Sequence, residues 1–528
     1  MPEHGVNQVA PGPPGGDLSR VDPSFLALPL REMARAALDR ARELGAQHAD
    51  FRSERIREQM IRLRDGQLDG VNDGAEAGIS VRVVHAGSWG FAAGVVQTPE
   101  AAARLAEQAV AVARVSQPVN FEPVVLAAEP SYGERVWVSS YRIDPFEVPD
   151  TEKIAVLTEW SQRLLDADGV DHVDAFVQAV KENKFYADTN GTTTIQQRVR
   201  VYPGLEAVTV DAEGKYGALG AFDSMSTVAP PVGRGWEYVT GAADEAWDWD
   251  GELARLPELL AQKLAAPSVE PGEYDLVIDP TNLWLTIHES IGHATELDRA
   301  LGYEAAYAGT SFATLDQLGT LKYGSAVMNI TGDRVVEHGL ATVGFDDEGV
   351  QTQRWDIVSG GVLVGYQLDR RIAQLKGLHG GRSNGCAFAD SPGHVPIQRM
   401  ANVSLQPAPD GPSTEELIAR VERGLYIVGD KSWSIDMQRY NFQFTGQRAF
   451  LIENGRLAGQ VRDFAYQATT TDFWGSMEAV GGPQTYRLCG AFNCGKGQPG
   501  QIAPVSHGSP SALFRGVRIL NTVQEAGR

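Results

Sequence analysis

Apolar residues recur with helical spacing from Leu30 in LREMARAALDRARELG, and Gly45 closes the pattern, so the first ordered element is predicted there. Two strand-like stretches follow, FRSERIREQMIRLRDGQ at 51–67 and AGISVRVVHAGSWGFAAG at 77–94. The segment LDGVNDGAE between them reads as turn-rich. Helical spacing returns at 99–115, at 151–166 with Asp150 or Thr151 as cap, and at 252–264. Residues 172–220 alternate in strand fashion. Helices on a mostly antiparallel sheet are therefore expected in this half.

Two prolines and a glycine in 266–272 mark a boundary. Beyond it come a short apolar strand at 274–278, one clear helix, and then strand–turn–strand patterning to the end. The turns are signalled by TGDR, DDEG, VSGG, APDGP and IENGR. The expected fold class is α+β. A disordered leader spans 1–28, an N-terminal α/β domain 29–270, and a β-rich domain 271–528, a curved sheet or barrel with one embedded helix. The 528-residue length agrees with a prior of two to four domains.

Composition narrows the function classes. The apolar fraction of 43% and charged fraction of 22% are those of a globular chain. No run of 18 apolar residues exists, so no membrane helix is expected. The opening MPEHGVNQVAPGPPGG lacks the apolar core of a secretory signal. A net charge of −22 argues against nucleic acid and anionic membrane as partners. Three cysteines, Cys386, Cys489 and Cys494, are too few for a disulfide framework, and a reducing cytoplasmic setting is expected. The acidic run Asp346-Asp347-Glu348 reads as a solvated turn, with a site lining as the alternative.

The chemistry concentrates in 279–298. Asp279 fits a helix cap and Pro280 the first helical position. His288, Glu289 and His293 then form HExxxH, which chance would place about 0.01 times in this composition. The competing reading is two unrelated helix histidines, one packed and one solvated. On a regular helix, residues four apart lie about 40° apart and residues five apart about 140°. Two histidines five apart share one metal only if the helix is widened, as a π-type turn does, and Gly292 would ease that distortion. Neutral imidazoles suit Zn²⁺, and Glu289 is placed to take a proton from water and return it to a leaving amine. Amide hydrolysis is the natural reaction class. A third ligand is required; Glu296, Cys386, Cys489, Cys494, His394 and His507 are candidates.

The segment HESIGHATELD (288–298) resembles the HExxGHxxExD pattern of the TldD/PmbA metallopeptidase family, in its TldD-like branch. Further similar stretches are residues 64–92 and 344–370, QRMANVSLQPAPD, GLYIV with AFLIENGRL, and the tail NCGKGQ at 493–498. The resemblance covers roughly residues 30–525, and the stretch at 378–399 departs from it. It implies a zinc peptidase with His288, His293 and Cys494 as ligands and Glu289 as base. A C-terminal β-rich part would enclose the site. It also implies small or unfolded peptides as substrates, and a homodimer or a heterodimer with a sister chain that lacks the motif. Glu296 and Asp298 are expected to orient the ligands from outside. The alternative is a non-catalytic scaffold or a regulator of the gyrase-modulator type, acting through protein binding.

Overall fold

The computed structural model describes residues 17–211, 221–242, 244, 246–497 and 499–527. The expectation of a disordered leader falls outside these for 1–16, and is corrected for 17–28. Asp17 and Asp22 cap two short turns, Leu18–Arg20 and Pro23–Leu26, and Val21 and Phe25 are buried. Their burial contributes roughly 1.5–3 kcal/mol per side chain, enough to hold a short segment down.

The first half is one sheet with helices. Its strands are β1 (His48–Arg64), β2 (Gln67–His85), β3 (Ser88–Gly94), β4 (Glu134–Val138), β5 (His172–Asp188), β6 (Thr193–Asp211) and β7 (Ala221–Ser226). The order is β3-β2-β1-β5-β6-β4, with β7 also on β6. All pairs are antiparallel except β4–β6. The segment 68–76 is strand, not turn. The reversal sits at Asp65-Gly66, both at positive φ, and β2 pairs with β1 from there on. Helices Leu30–Glu43 and Pro99–Ser116 bury an alanine-rich face over β1 and β2. Helices Asp150–Leu165 and Trp249–Ala265 cover the other end of the sheet through Leu157, Trp160, Leu256 and Leu260.

The second half opens with β8 (Gly272–Ile278) and the helix Pro280–Ile287. A small sheet, in the order β11-β10-β9-β14, is built from β9 (Ile330–Asp333), β10 (Arg354–Ser359), β11 (Val362–Leu363) and, after the short pair β12 (Ala387–Phe388) and β13 (Ile397–Gln398), β14 (Asn402–Leu405). The remaining strands are β15 (Arg423–Ile435), β16 (Asn441–Glu453), β17 (Arg456–Val461), β18 (Phe464–Thr469), β19 (Met477–Val480), β20 (Arg487–Lys496), β21 (Gln501–Ser509) and β22 (Ala512–Asn521). The run β15-β8-β22-β18-β16 closes on itself because β16 also pairs with β15. The fold is α+β, with a five-stranded barrel in the C-terminal half. Closure removes edge strands that would otherwise stay unpaired. Phe442, Phe444, Tyr466, Phe473 and Phe514 belong to the main core, with Ile287 and Ile291 of the motif segment.

Candidate metal and catalytic site

Asp279 accepts a hydrogen bond from the Thr281 backbone N–H, so the motif helix starts where the sequence placed its cap. The helix is α-helical from Pro280 to Ile287 and then widens: His288–Gly292 is a π-turn in which the His293 N–H reaches back five residues to the His288 carbonyl. Carbonyls in the widened stretch find side-chain donors. Tyr323 Oη donates to the Ser290 oxygen, and Gln367 Nε2 to the Gly292 oxygen at 2.7 Å. The helix then breaks. Glu296 has extended backbone (φ −72°, ψ 112°), so the continuous helix that the pattern suggests stops short of Leu297.

The widening brings the two histidines together. Their ring centroids lie 4.7 Å apart. Cys494 Sγ lies 3.6 Å from His293 Nε2, and one ligand atom each from His288, His293 and Cys494 fall within 4.8 Å of one another. Sulfur and nitrogen at about 2.3 and 2.05 Å from a tetrahedral zinc stand about 3.6 Å apart, so the donor set fits such an ion. All three residues are buried. Cys494 comes from β20, which carries a register shift between Ala491 and Cys494, and a bulge of this kind re-aims the side chain. Burial opposes ionisation of the Cys494 thiol, but His293 and Arg399 hold it below its ordinary value. A thiol that ionises more readily than usual suits a cation ligand.

The partners behind the ligands fix their tautomers. His507 Nδ1 faces the Val403 carbonyl at 2.8 Å and must donate to it. Burial, followed by the neighbouring His288, pushes His507 well below its usual value, so the ring is neutral and its Nε2 is an acceptor. That nitrogen meets His288 Nδ1 at 2.7 Å, which leaves His288 Nε2 as the bare atom. On the other side, Glu296 Oε2 accepts from His293 Nδ1 at 2.8 Å, leaving His293 Nε2 bare toward Cys494. Glu296 therefore touches the far nitrogen of His293, not the space between the ligands. Lys496 holds Glu296 (3.1 Å) and Asp298 (2.8 Å), and Arg299 binds Glu304 at 3.1 Å; all of these but the partly exposed Asp298 are fully buried. Asp298 touches neither histidine directly.

Glu289 lies on the widened turn beside the ligands, and Arg439 Nη1 donates to its Oε2. Arg439 stands at φ +64° in the turn after β15. His288, Glu289, His293, Arg439 and Cys494 all line a cavity of about 1120 Å³. Its opposite wall is one face of the N-terminal sheet, with Glu58 and Met60 of β1, Gln178 and Glu182 of β5, and Arg200 and Tyr202 of β6.

The other ligand candidates lie apart. Cys386 is buried in the core, its thiol pushed up to about 12 by burial, and Cys489 is likewise buried and raised. His394 is bonded to Asp390 at 2.6 Å. The role expected of Gly292 is corrected. Gly292 has ordinary helical angles (φ −53°, ψ −60°); its missing Cβ makes room for Met400 Sδ, which would stand 2.5 Å away. The run Asp346-Asp347-Glu348 is buried, not solvated. Asp347 pairs with Lys184 at 2.8 Å and Glu348 with Arg82 at 2.8 Å.

The model of the PmbA/TldA metallopeptidase C-terminal domain matches residues 271–521, and that of PmbA/TldA metallopeptidase domain 1 matches 49–113. Together they span more than half of the chain. The chain belongs to the TldD/PmbA metallopeptidase family. A metalloprotease of Methanothermobacter thermautotrophicus is 27% identical over 482 residues, covering 90% of this chain and 96% of its own. A zinc metalloprotease TldD homolog of Saccharolobus solfataricus is 22% identical over 489 residues, 91% of this chain and 98% of its own. A crystal structure from Thermotoga maritima, described as a modulator of a DNA gyrase, superposes with a TM-score of 0.71 at 18% identity, over 93% of this chain and all of that one. At that identity the likeness concerns the fold alone. As a TldD/PmbA metallopeptidase, the chain holds its motif helix inside the cavity rather than on an open surface.

Sequence reasoning gave no role to Arg439, Arg399 or Lys496, and weighed His507 only as a ligand. Lys496 stands two residues after Cys494, which was the one available signal. The rest depend on contacts across 95 residues or more.

Proposed function

We propose that this chain is a zinc-dependent peptidase that hydrolyses amide bonds of small or unfolded peptides. The observation that carries the reading is the convergence of His288, His293 and Cys494, with Glu289 on the same turn and facing the same cavity. Those three residues would hold a zinc ion, which would supply Lewis acidity and lower the pKa of water beside it. Glu289 takes the proton from the attacking water and returns it to the leaving amine. Arg439 holds the Glu289 carboxylate in place before substrate arrives. Glu296 and His507 keep both imidazoles turned with Nε2 toward the metal. The buried position of the ligands favours extended chains over folded domains as substrates. A cytoplasmic setting, and pairing with a second copy or a motif-free sister chain, are part of the same proposal through the family resemblance.

The test is metal content measured alongside peptide hydrolysis. Glu289→Gln retains zinc and loses roughly 10²–10⁴-fold in rate, the usual contribution of a general base. Cys494→Ser loses most of its zinc. Zinc lost from Glu289→Gln would make the glutamate a ligand. Full zinc in Cys494→Ser would remove the cysteine from the site. A scaffold reading predicts no stoichiometric zinc in the unaltered protein.

A further inference from the structure

The sheet wall of the cavity carries a buried arginine whose donors are not all satisfied. Glu58, Val180 and Arg200 stand opposite one another on β1, β5 and β6, and alternate residues along each strand share that face. Arg200 is only 3% exposed. Its Nη2 donates to Glu182 Oε1 at 2.6 Å, while its Nε and Nη1 are buried and have no partner. Glu182 is not Arg200's alone: its Oε2 takes the Nε of Arg198 at 2.9 Å and also Arg198 Nη2. One carboxylate thus serves two guanidinium groups. Glu58 lines the same cavity and adds negative charge near Arg200, but its carboxylate accepts from Gln178 Nε2 at 2.6 Å and does not reach the vacant N–H groups. A buried cation with unsatisfied donors is costly unless something anionic completes it. The Arg200 guanidinium also stands 5.9 Å from the centre of the Phe492 ring, and Phe492 precedes Cys494 by two residues on β20. That places the guanidinium within roughly 20 Å of the cysteine, the reach of about six extended residues.

We propose that Arg200 forms a carboxylate-binding subsite of the cavity, which takes an acidic group of a bound peptide a few residues from the scissile bond. This rests on the peptidase reading of the site. A guanidinium N–H pairs strongly with a carboxylate, and the vacant Nε–H and Nη1–H, which point to opposite sides of the group, each offer it one contact. The carboxylate comes either from a Glu or Asp side chain or from the peptide's C-terminus.

Two readouts on matched peptides test the subsite: hydrolysis by the zinc-loaded protein, and equilibrium binding to the Glu289→Gln protein. One arm compares amidated peptides with Glu or Gln at successive positions; the other compares free and amidated C-termini on a Gln peptide. The expected result is a preference of about 10- to 100-fold for the carboxylate peptide in one arm, which names the source. In Arg200→Gln that preference collapses to less than about 3-fold, and Arg200→Lys keeps part of it. No preference in the unaltered protein overturns the subsite, without any variant having to fold. A preference that survives Arg200→Gln overturns it as well. Arg200-dependent binding without hydrolysis supports the subsite and sinks the peptidase reading. Hydrolysis without carboxylate preference does the reverse.

Discussion

His507 is a histidine that the site uses for its hydrogen bonds and not for its lone pair. With Nδ1 spent on the Val403 carbonyl, its Nε2 receives His288 Nδ1–H, and the chain of two bonds ends at a bare His288 Nε2. Replacing His507 by Phe keeps a ring in the core but leaves the His288 N–H without an acceptor. The ring of His288 then loses its fixed orientation. Zinc affinity is expected to fall roughly 10- to 100-fold, the usual effect of removing such a partner. Titration with a competing chelator measures it; unchanged affinity would mean that packing alone orients His288.

At the scale of the element, the motif turn shows how far sequence reaches. The cap at Asp279, the proline after it and the five-residue histidine spacing are local, and together they required a π-turn, which is present. The break at Glu296 was not legible. It depends on Gln367, 71 positions away, pairing with that backbone and with the widened turn. Polar character also misled where tertiary contact overrode it. The Gly-rich 68–76 became strand because β1 runs long enough to pair with it, and Asp346–Glu348 became interior because cations from the N-terminal sheet meet it. Some glycines, by contrast, mark close approach. Gly90 on β3 lies under the helix Pro99–Ser116, and a Cβ there would stand 1.8 Å from the Ala109 carbonyl oxygen. Backbone cannot rotate aside as a side chain can. Gly90→Ala is expected to lift the helix from the sheet and cost about 3 kcal/mol or more. Urea unfolding measures the cost, and a loss below about 1 kcal/mol would show that the helix shifts freely.

At the scale of the whole molecule, the two halves meet through buried charge. Arg82 of β2 bridges Asp50 of β1 (2.7 Å) and Glu348 of the second half (2.8 Å), while Lys184 of β5 binds Asp347. These pairs join the sheet that carries Arg200 to the half that carries the metal ligands. Burial works against the Asp50 carboxylate, yet Arg82 and His48 overcome it and hold its pKa at about 2 against an ordinary 3.8. Between those values the unfolded chain binds a proton that the folded chain refuses, so stability rises with pH across that window. The contribution is fully present above 3.8 and is lost as pH falls through about 2. A shift of that size corresponds to about 2–3 kcal/mol at neutral pH. Asp50→Asn removes it while Glu348 remains to pair with Arg82. The expected result is a stability difference between the two proteins of about 2–3 kcal/mol at pH 6 that shrinks steadily below pH 4. Other buried carboxylates, such as Glu182 with its two arginines, also titrate in acid, but they cancel in the difference because both proteins carry them. Urea unfolding of both proteins at intervals from pH 6 to pH 3 provides the curve. A difference that stayed constant down to pH 3 would assign the loss to packing or hydrogen bonding and not to the Asp50–Arg82 charge pair.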